Sequence, residues 1–350
     1  MTQAILFLCV VATMCVAGFW PPNAEHYRAP YWSGAEQGLV FNGHAQAYTE
    51  RFFAPDPAAS AVTIEMAIKP QYQPPTRYRV LLNIYDLEND TQIVVGQWRQ
   101  RLMVLQSEDY SNRQRLPKIY ADLDADHSLN RIRLESGPQG TRVYINDQLQ
   151  GSNRHLVLAL PSHPTRSHLI LGSDASASYP WTGSIQSLAI YAHRPEAPAN
   201  SGPGLLYQFS AQDTQQVADA SPHSIPLLLP STPVILKKKL LQLPTRRDLT
   251  ARWLWRDSLI NYFGFIPFGL LLSRLLLTRQ QQRGPLTHHN HWRSSILPST
   301  LAAFLFSLSI ETTQIAIPER TSYLLDLILN TAGGFSGALV AWYLQRWRRT

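Results

Sequence analysis

The sequence predicts a mixed chain: an all-β sandwich or jelly roll joined to an α-helical transmembrane bundle of about four helices. Three observations predict it. Residues from 25 to 236 break into short runs of alternating apolar and polar positions, separated by turn formers. Four other stretches are almost continuously apolar over roughly the length of a bilayer span. Charge divides along the same boundary. Residues 1–236 hold 16 Lys and Arg against 19 Asp and Glu, whereas residues 237–350 hold 15 against 5. The formal charge of +7 is therefore a property of the apolar part, where basic residues flank membrane spans. They form no soluble basic face, which excludes nucleic acid as a partner.

Residues 1–22 come first. Ile5 to Trp20 is nearly all apolar, and Met-Thr-Gln before it supplies no basic flank. The segment reads either as a retained transmembrane helix or as a signal peptide cleaved after Cys15-Val16-Ala17, removing residues 1–17. Cys9 and Cys15 are the chain's only cysteines and both lie here. The β region thus holds no disulfide, and a cysteine-type zinc or iron–sulfur site is excluded by count.

Residues 23–236 carry the β pattern. The runs AVTIEMAIK, RYRVLLNIYD, QIVVGQW, RLMVLQS, RIRLES, TRVYIND, HLILGS and SIQSLAIYA have period two and no helical period. Asn146-Asp147 and Gly137-Pro138-Gln139-Gly140 read as hairpin turns. Many short strands at this spacing indicate a sandwich or jelly roll.

Residues 237–256 form a basic connector, and residues 257–350 a three-helix membrane domain with spans near Ser258–Leu277, Ser295–Ile317 and Tyr323–Leu344. Arg279, Arg283 and Arg293 in one loop, and Arg346, Arg348 and Arg349 at the C-terminus, belong on the cytoplasmic side. That puts Pro318-Glu319-Arg320 and the β region outside. Lys237, Lys238, Lys239, Arg246, Arg247, Arg252 and Arg256 then also lie outside, where they can meet anionic headgroups.

Polar residues interrupt each span: Asp257 and Asn261, Glu311 and Gln314, Asp326 and Asn330. Three- and four-residue spacing puts each pair on one helix face. Such residues cost free energy in hydrocarbon and face a bundle interior or wet cavity. Two readings stay open. Asn261, Glu311, Gln314, Asp326 and Asn330 could line a polar cavity for a headgroup or phosphate, with Arg320 as the anion clamp at its mouth and Glu311 able to carry a proton. Alternatively they are glue between helices. Asp257 reads as an N-cap. Gly264-x-x-Pro267-x-Gly269 reads as a kink or break in its helix, and Gly333-Gly334-x-x-Gly337 as a close packing face.

In the β region, Trp98, Tyr110, Tyr179 and Trp181 could stack on sugar rings or fill the core. Asp86, Asp90 and Asp174, with Glu88 and Asn89, could hold Ca²⁺ or cap turns. His288-His289-Asn290-His291 reads as metal-binding or as plain linker. Glu65 is the only isolated strand carboxylate, so the carboxylate pair of a glycosidase is missing. No catalytic motif is recognisable.

DSLINYFGFIPFG and SLSIETTQIAIPERTSYLLDLILNTAGGFSGA resemble the VanZ-like membrane family over roughly residues 250–345. The features that match are Asn261, the run Gly264 to Gly269, Glu311-x-x-Gln314, Pro318-x-Arg320, Asp326, Asn330, Gly333, Gly334 and Gly337. The chain departs from the usual pattern after Pro-x-Arg, where Thr321 and Ser322 stand and Asp326 is the first acid. The resemblance implies a bacterial cytoplasmic-membrane protein linked to glycopeptide sensitivity, and it favours a retained first helix. The β region resembles a laminin-G-like, concanavalin A-type domain, carried by Phe41-Asn42-Gly43, Asn130 to Arg133, Thr141 to Asp147, Leu171-Gly172-Ser173 and Gly183 to Tyr191. That resemblance implies a carbohydrate-binding module displayed outside the membrane, with membrane lipids and an envelope or exported glycan as partners. The alternative is a membrane enzyme or transporter acting on a lipid-linked envelope precursor.

Overall fold

The computed structural model describes residues 2–19, 27–71, 78–110, 115–124, 128–194, 202–210, 215–237, 240–244, 252–281, 291–315, 317 and 322–347. It divides into two compact units, residues 23–237 and residues 1–22 with 238–350.

The first unit is a sandwich of two antiparallel sheets. One sheet runs β1 (Tyr31–Ser33), β2 (Gly38–Asn42), β13 (Thr182–His193), β4 (Ala61–Pro70), β9 (Asn130–Gly137), β10 (Gly140–Ile145), β11 (Gln148–Asn153), with β14 (Leu205–Gln208) also on β13. The other runs β15 (Gln216–Val217), β16 (Leu227–Leu228), β3 (Ala47–Tyr48), β12 (Ser167–Leu171), β5 (Arg79–Asp86), β6 (Thr91–Trp98), β7 (Arg101–Leu105), β8 (Lys118–Asp122). Alternation selects the core. Val62, Ile64, Met66 and Ile68 of β4 point inward, as do Ile132 and Leu134 of β9. They meet Leu82, Ile84, Ile93, Val95, Leu102 and Val104 of the second sheet. Both expected hairpin turns form. Asn146 and Asp147 have φ of 51° and 63°, the left-handed pair that a two-residue turn between β10 and β11 requires.

The middle strands of the second sheet, β12, β5, β6 and β7, are buried on both faces. Away from the core, Tyr78, Val80, Val94, Met103 and Leu105 form a second apolar cluster, with Trp98, Tyr110 and Tyr179 packed against it. A side chain at Gly96 would strike the Tyr78 ring, so glycine there lets the tyrosine lie flat on the sheet. The side chains of Lys118 and Asp109, both almost wholly buried, pair at 2.9 Å. Leu236 packs on Tyr85 and Ile170, so the unit's last residues cover more of the sheet.

The second unit holds α1 (Thr2–Phe19), α2 (Arg252–Gln281), α3 (His291–Gln314) and α4 (Leu324–Trp347), each long and apolar enough to cross a membrane. α2 is continuous through Pro267, so of the two readings of Gly264 to Gly269, a kink or a break, the break does not occur. The helix also starts five residues before Asp257, which leaves Asp257 exposed on the second turn and not at an N-cap. Glycines set the helix contacts. A Cβ on Gly333 would overlap the carbonyl of Tyr262, one on Gly337 that of Ile266, and one on Gly269 that of Gly334. α2 and α4 therefore meet backbone to backbone, as small residues permit in membrane bundles. α3 presents Ser295, Ser299, Ala303, Ser307 and Glu311, four apart and all buried. This stripe faces α4, where a side chain on Gly334 would meet Ala303. α1 joins through Phe7, whose ring lies 5.1 Å from that of Phe268.

Candidate functional site

The amide and carboxylate side chains of Asn261, Glu311, Gln314, Asp326 and Asn330 collect at one end of the bundle, while buried serines run along α3. α2 and α4 run parallel, as their contacts advance together from Asn261–Asp326 to Ser273–Ala338. α3 runs against them. The starts of α2 and α4 therefore share an end with the last turn of α3. Asn261 donates from Nδ2 to Asp326 Oδ1 at 2.7 Å, joining α2 to α4. Asn330 donates to Ser307 Oγ at 2.9 Å, joining α4 to α3. Gln314 donates to the Gly18 carbonyl at 2.8 Å, joining α3 to α1. Glu311 is 3 % exposed and accepts hydrogen bonds from the Ser322 hydroxyl and the Tyr323 backbone. Ser322 is itself anchored, because Leu241 N–H donates to its hydroxyl and Gln242 N–H to its carbonyl.

The bonding is incomplete. Glu311 Oε2, Asn330 Oδ1 and Ser299 Oγ are buried with no hydrogen-bond partner. The first two are acceptors at the same end of the bundle, since Ser307, the partner of Asn330, lies one turn before Glu311 on α3. Five of the six residues expected in the polar cluster are thus bonded into the helical unit; Arg320 lies outside the described residues. Sequence reasoning missed Ser307 and Ser322. The signal for Ser307 was its four-residue spacing from Glu311; Ser322 gave none, since its role depends on the fold of residues 240–244.

In the sandwich, Trp181 takes the core reading, and Asp86 and Asp174 the turn-capping one. Trp181 is fully buried, part of the core, and donates from Nε1 to Gln97 Oε1 at 2.7 Å, so its ring is closed to a sugar. Trp98, Tyr110 and Tyr179 pack on the second apolar cluster, with Tyr110 4.7 Å from Tyr179 and 5.2 Å from Tyr78. Asp86, Asp90 and Asp174 do not converge: among the described residues no group of three metal-ligating side chains is placed to hold an ion. Asp86 takes the Glu88 N–H at 2.9 Å, and Asp174 takes the backbone N–H groups of Ser176, Ser178 and Tyr179. Both carboxylates shape their own turns. Asp90 accepts from Tyr85 at 2.8 Å and pairs with Lys237. His288, His289 and Asn290 lie outside the described residues, and the side chain of His291 does as well.

The open surface lies on the first sheet. A groove of about 370 Å³ runs over β4, β9, β13 and β14. Ala67, Ser187 and Ala189 make its low floor, while Arg131, Arg133, Tyr191 and Gln208 rise beside it, with Glu65 between. Arg133 pairs with Glu135 and lies 4.3 Å from the centre of the Tyr144 ring.

Residues 204–345 match the VanZ/LLP1 family model, starting at β14 of the sandwich and ending in α4. No curated protein matches the sequence. Similar solved structures are β-sandwich proteins. A Bacteroides ovatus protein described as carbohydrate-binding shares 13% identity with a TM-score of 0.38, over 60% of this chain and 62% of that one. Domain 4 of an extracellular arabinanase from Geobacillus stearothermophilus shares 14% with a TM-score of 0.33, over 45% and 70%. Domains LG4–5 of the mouse laminin α1 chain share 12% with a TM-score of 0.32, over 47% and 44%. The chain thus spans less than two thirds of the Bacteroides and mouse chains.

Proposed function

We propose that this membrane protein lies in a bacterial cytoplasmic membrane, seats the polar part of a lipid-linked envelope component at the polar end of its helices, and holds a glycan on its sandwich. One observation carries the reading. Glu311 Oε2 and Asn330 Oδ1 are buried acceptors without partners, inside a unit whose helices are apolar enough to span a bilayer. Hydrocarbon supplies no hydrogen bond, so each such atom costs free energy unless something enters to meet it. Pure helix glue would close these bonds within the bundle.

The VanZ/LLP1 match over α2 to α4 supports the same placement, and the family resemblance links it to glycopeptide sensitivity. Arginines flanking α2, α3 and α4 favour a cytoplasmic C-terminus and a sandwich on the outer side. For the sandwich, the groove beside Glu65 supports a glycan. It combines two carboxylates, Glu65 and Asp147, with guanidinium groups, an amide and a tyrosine, the mixture that pairs with sugar hydroxyls and one ring face.

The test is lipid co-purification. The full chain, expressed in a bacterial host and extracted in mild detergent, is analysed by mass spectrometry beside Glu311→Gln at matched insertion. The expected result is a lipid-linked envelope component enriched with the native chain and depleted with the variant. Equal lipid content in both overturns the role of the cluster.

A further inference from the structure

Building on the reading of the bundle as a lipid-component site, we infer that the group it seats is a primary ammonium, presented by a lipid headgroup. Three features of the polar end point to a donor and away from a phosphate. The partnerless atoms, Glu311 Oε2 and Asn330 Oδ1, are both acceptors. Asp326 adds a second carboxylate at the same end, and its described partner, Asn261, is neutral. Among the described residues neither Glu311 nor Asp326 has an ion-pair partner. An anion placed there would meet acceptors and find no donor in Glu311 Oε2 or Asn330 Oδ1. An ammonium brings three N–H donors and the opposite charge, and its bonds to a carboxylate are of the strong, charge-assisted kind.

Depth fits the same group. Glu311 stands three residues before the end of α3, about 5 Å of helix rise from it. Asp326 lies in the first turn of α4 and Asn330 one turn further. These positions belong to the headgroup margin of a span, where an amine on a phospholipid can reach one helix turn inward while its phosphate stays outside. A quaternary ammonium has no N–H and cannot complete both acceptors.

The experiment is native mass spectrometry of the full chain in detergent with added phosphatidylethanolamine, phosphatidylcholine or phosphatidylglycerol, with free ethanolamine as competitor. Phosphatidylethanolamine should be retained about tenfold or more over the other two. Glu311→Gln should abolish that preference, and Asn330→Asp, which adds an acceptor charge, should strengthen it. Displacement by millimolar free ethanolamine would support the ammonium chemistry but assign it to a soluble amine. Equal retention of the three lipids with dependence on Glu311 leaves the lipid site standing and overturns the ammonium. Preference for phosphatidylglycerol overturns it as well. No lipid retained by the native chain overturns the lipid reading itself.

Discussion

Asn330 on α4 donates to Ser307 Oγ on α3 at 2.9 Å, while its own Oδ1 stays buried with no partner. The two substitutions at this contact should differ in a way that helix glue does not predict. Ser307→Ala strands the Asn330 amide N–H in an apolar bundle and should cost about 1 kcal/mol. Asn330→Leu removes the donor and the orphaned acceptor together, and the serine can turn back to its own helix. That variant should match or exceed native stability. Thermal unfolding in one detergent compares them; a larger loss for Asn330→Leu would show that the amide serves packing alone.

Glu311 separates charge from shape. The Ser322 hydroxyl and the Tyr323 backbone both donate to it. Glu311→Leu strands both donors and should destabilise by about 2 kcal/mol or more. Glu311→Gln keeps a carbonyl oxygen for them and should cost under about 1 kcal/mol. The same unfolding assay reads both. Equal losses would mean that the Ser322 and Tyr323 bonds contribute nothing.

Two glycines of one run should respond oppositely. A Cβ on Gly269 would overlap the Gly334 carbonyl, whereas Gly264 has open space around its Cβ position. Gly269→Ala therefore has to push α2 from α4 and should cost about 1–3 kcal/mol. Gly264→Ala sits inside the same helix with nothing to strike, so it should be neutral or stabilising by about 0.5–1 kcal/mol. Midpoints of thermal unfolding decide it, and a loss at Gly264 equal to that at Gly269 would contradict the described contact.

These contrasts also mark what the sequence discloses. Period and turn chemistry act locally, so the strand alternation of β4 and the Asn146-Asp147 turn are legible from composition and spacing. Four-residue spacing likewise puts Asn261 and Asn330 on interior faces. Spacing cannot say that Asp257, one turn from Asn261, stays exposed while Asn261 turns to Asp326, because the difference depends on where α4 passes. Trp181 reads as a sugar-stacking candidate until the second sheet is in place to bury it. The groove beside Glu65 was equally hidden: its floor residues, Ala67, Ser187 and Ala189, come from strands 120 residues apart and are informative only when adjacent.

The sandwich should be sensitive to alkali. Burial raises the phenols of Tyr78, Tyr110 and Tyr207 above the ordinary tyrosine range, with nearby Tyr120 adding to Tyr78, Asp174 to Tyr110 and Asp219 to Tyr207. Tyr207 is fully buried and donates to the Ile225 carbonyl at 2.8 Å. In the unfolded chain these groups lose their protons near pH 10; in the folded chain they keep them. Above that pH the folded state binds more protons, so stability falls as pH rises, by about 1.4 kcal/mol per pH unit for each such group. Below about pH 10 the contribution is complete and flat. Tyr207→Phe should cost about 1 kcal/mol at pH 8 through the lost hydrogen bond, yet make the alkaline fall shallower by one group. Denaturant midpoints of the full chain followed by tryptophan fluorescence, at pH 8 and again between pH 10 and 11, measure both effects. Trp181, in the same core, is a reporter of this unit. A native midpoint unchanged from pH 8 to 11 would mean that these phenols ionise freely in the folded protein, which the burial of Tyr207 forbids.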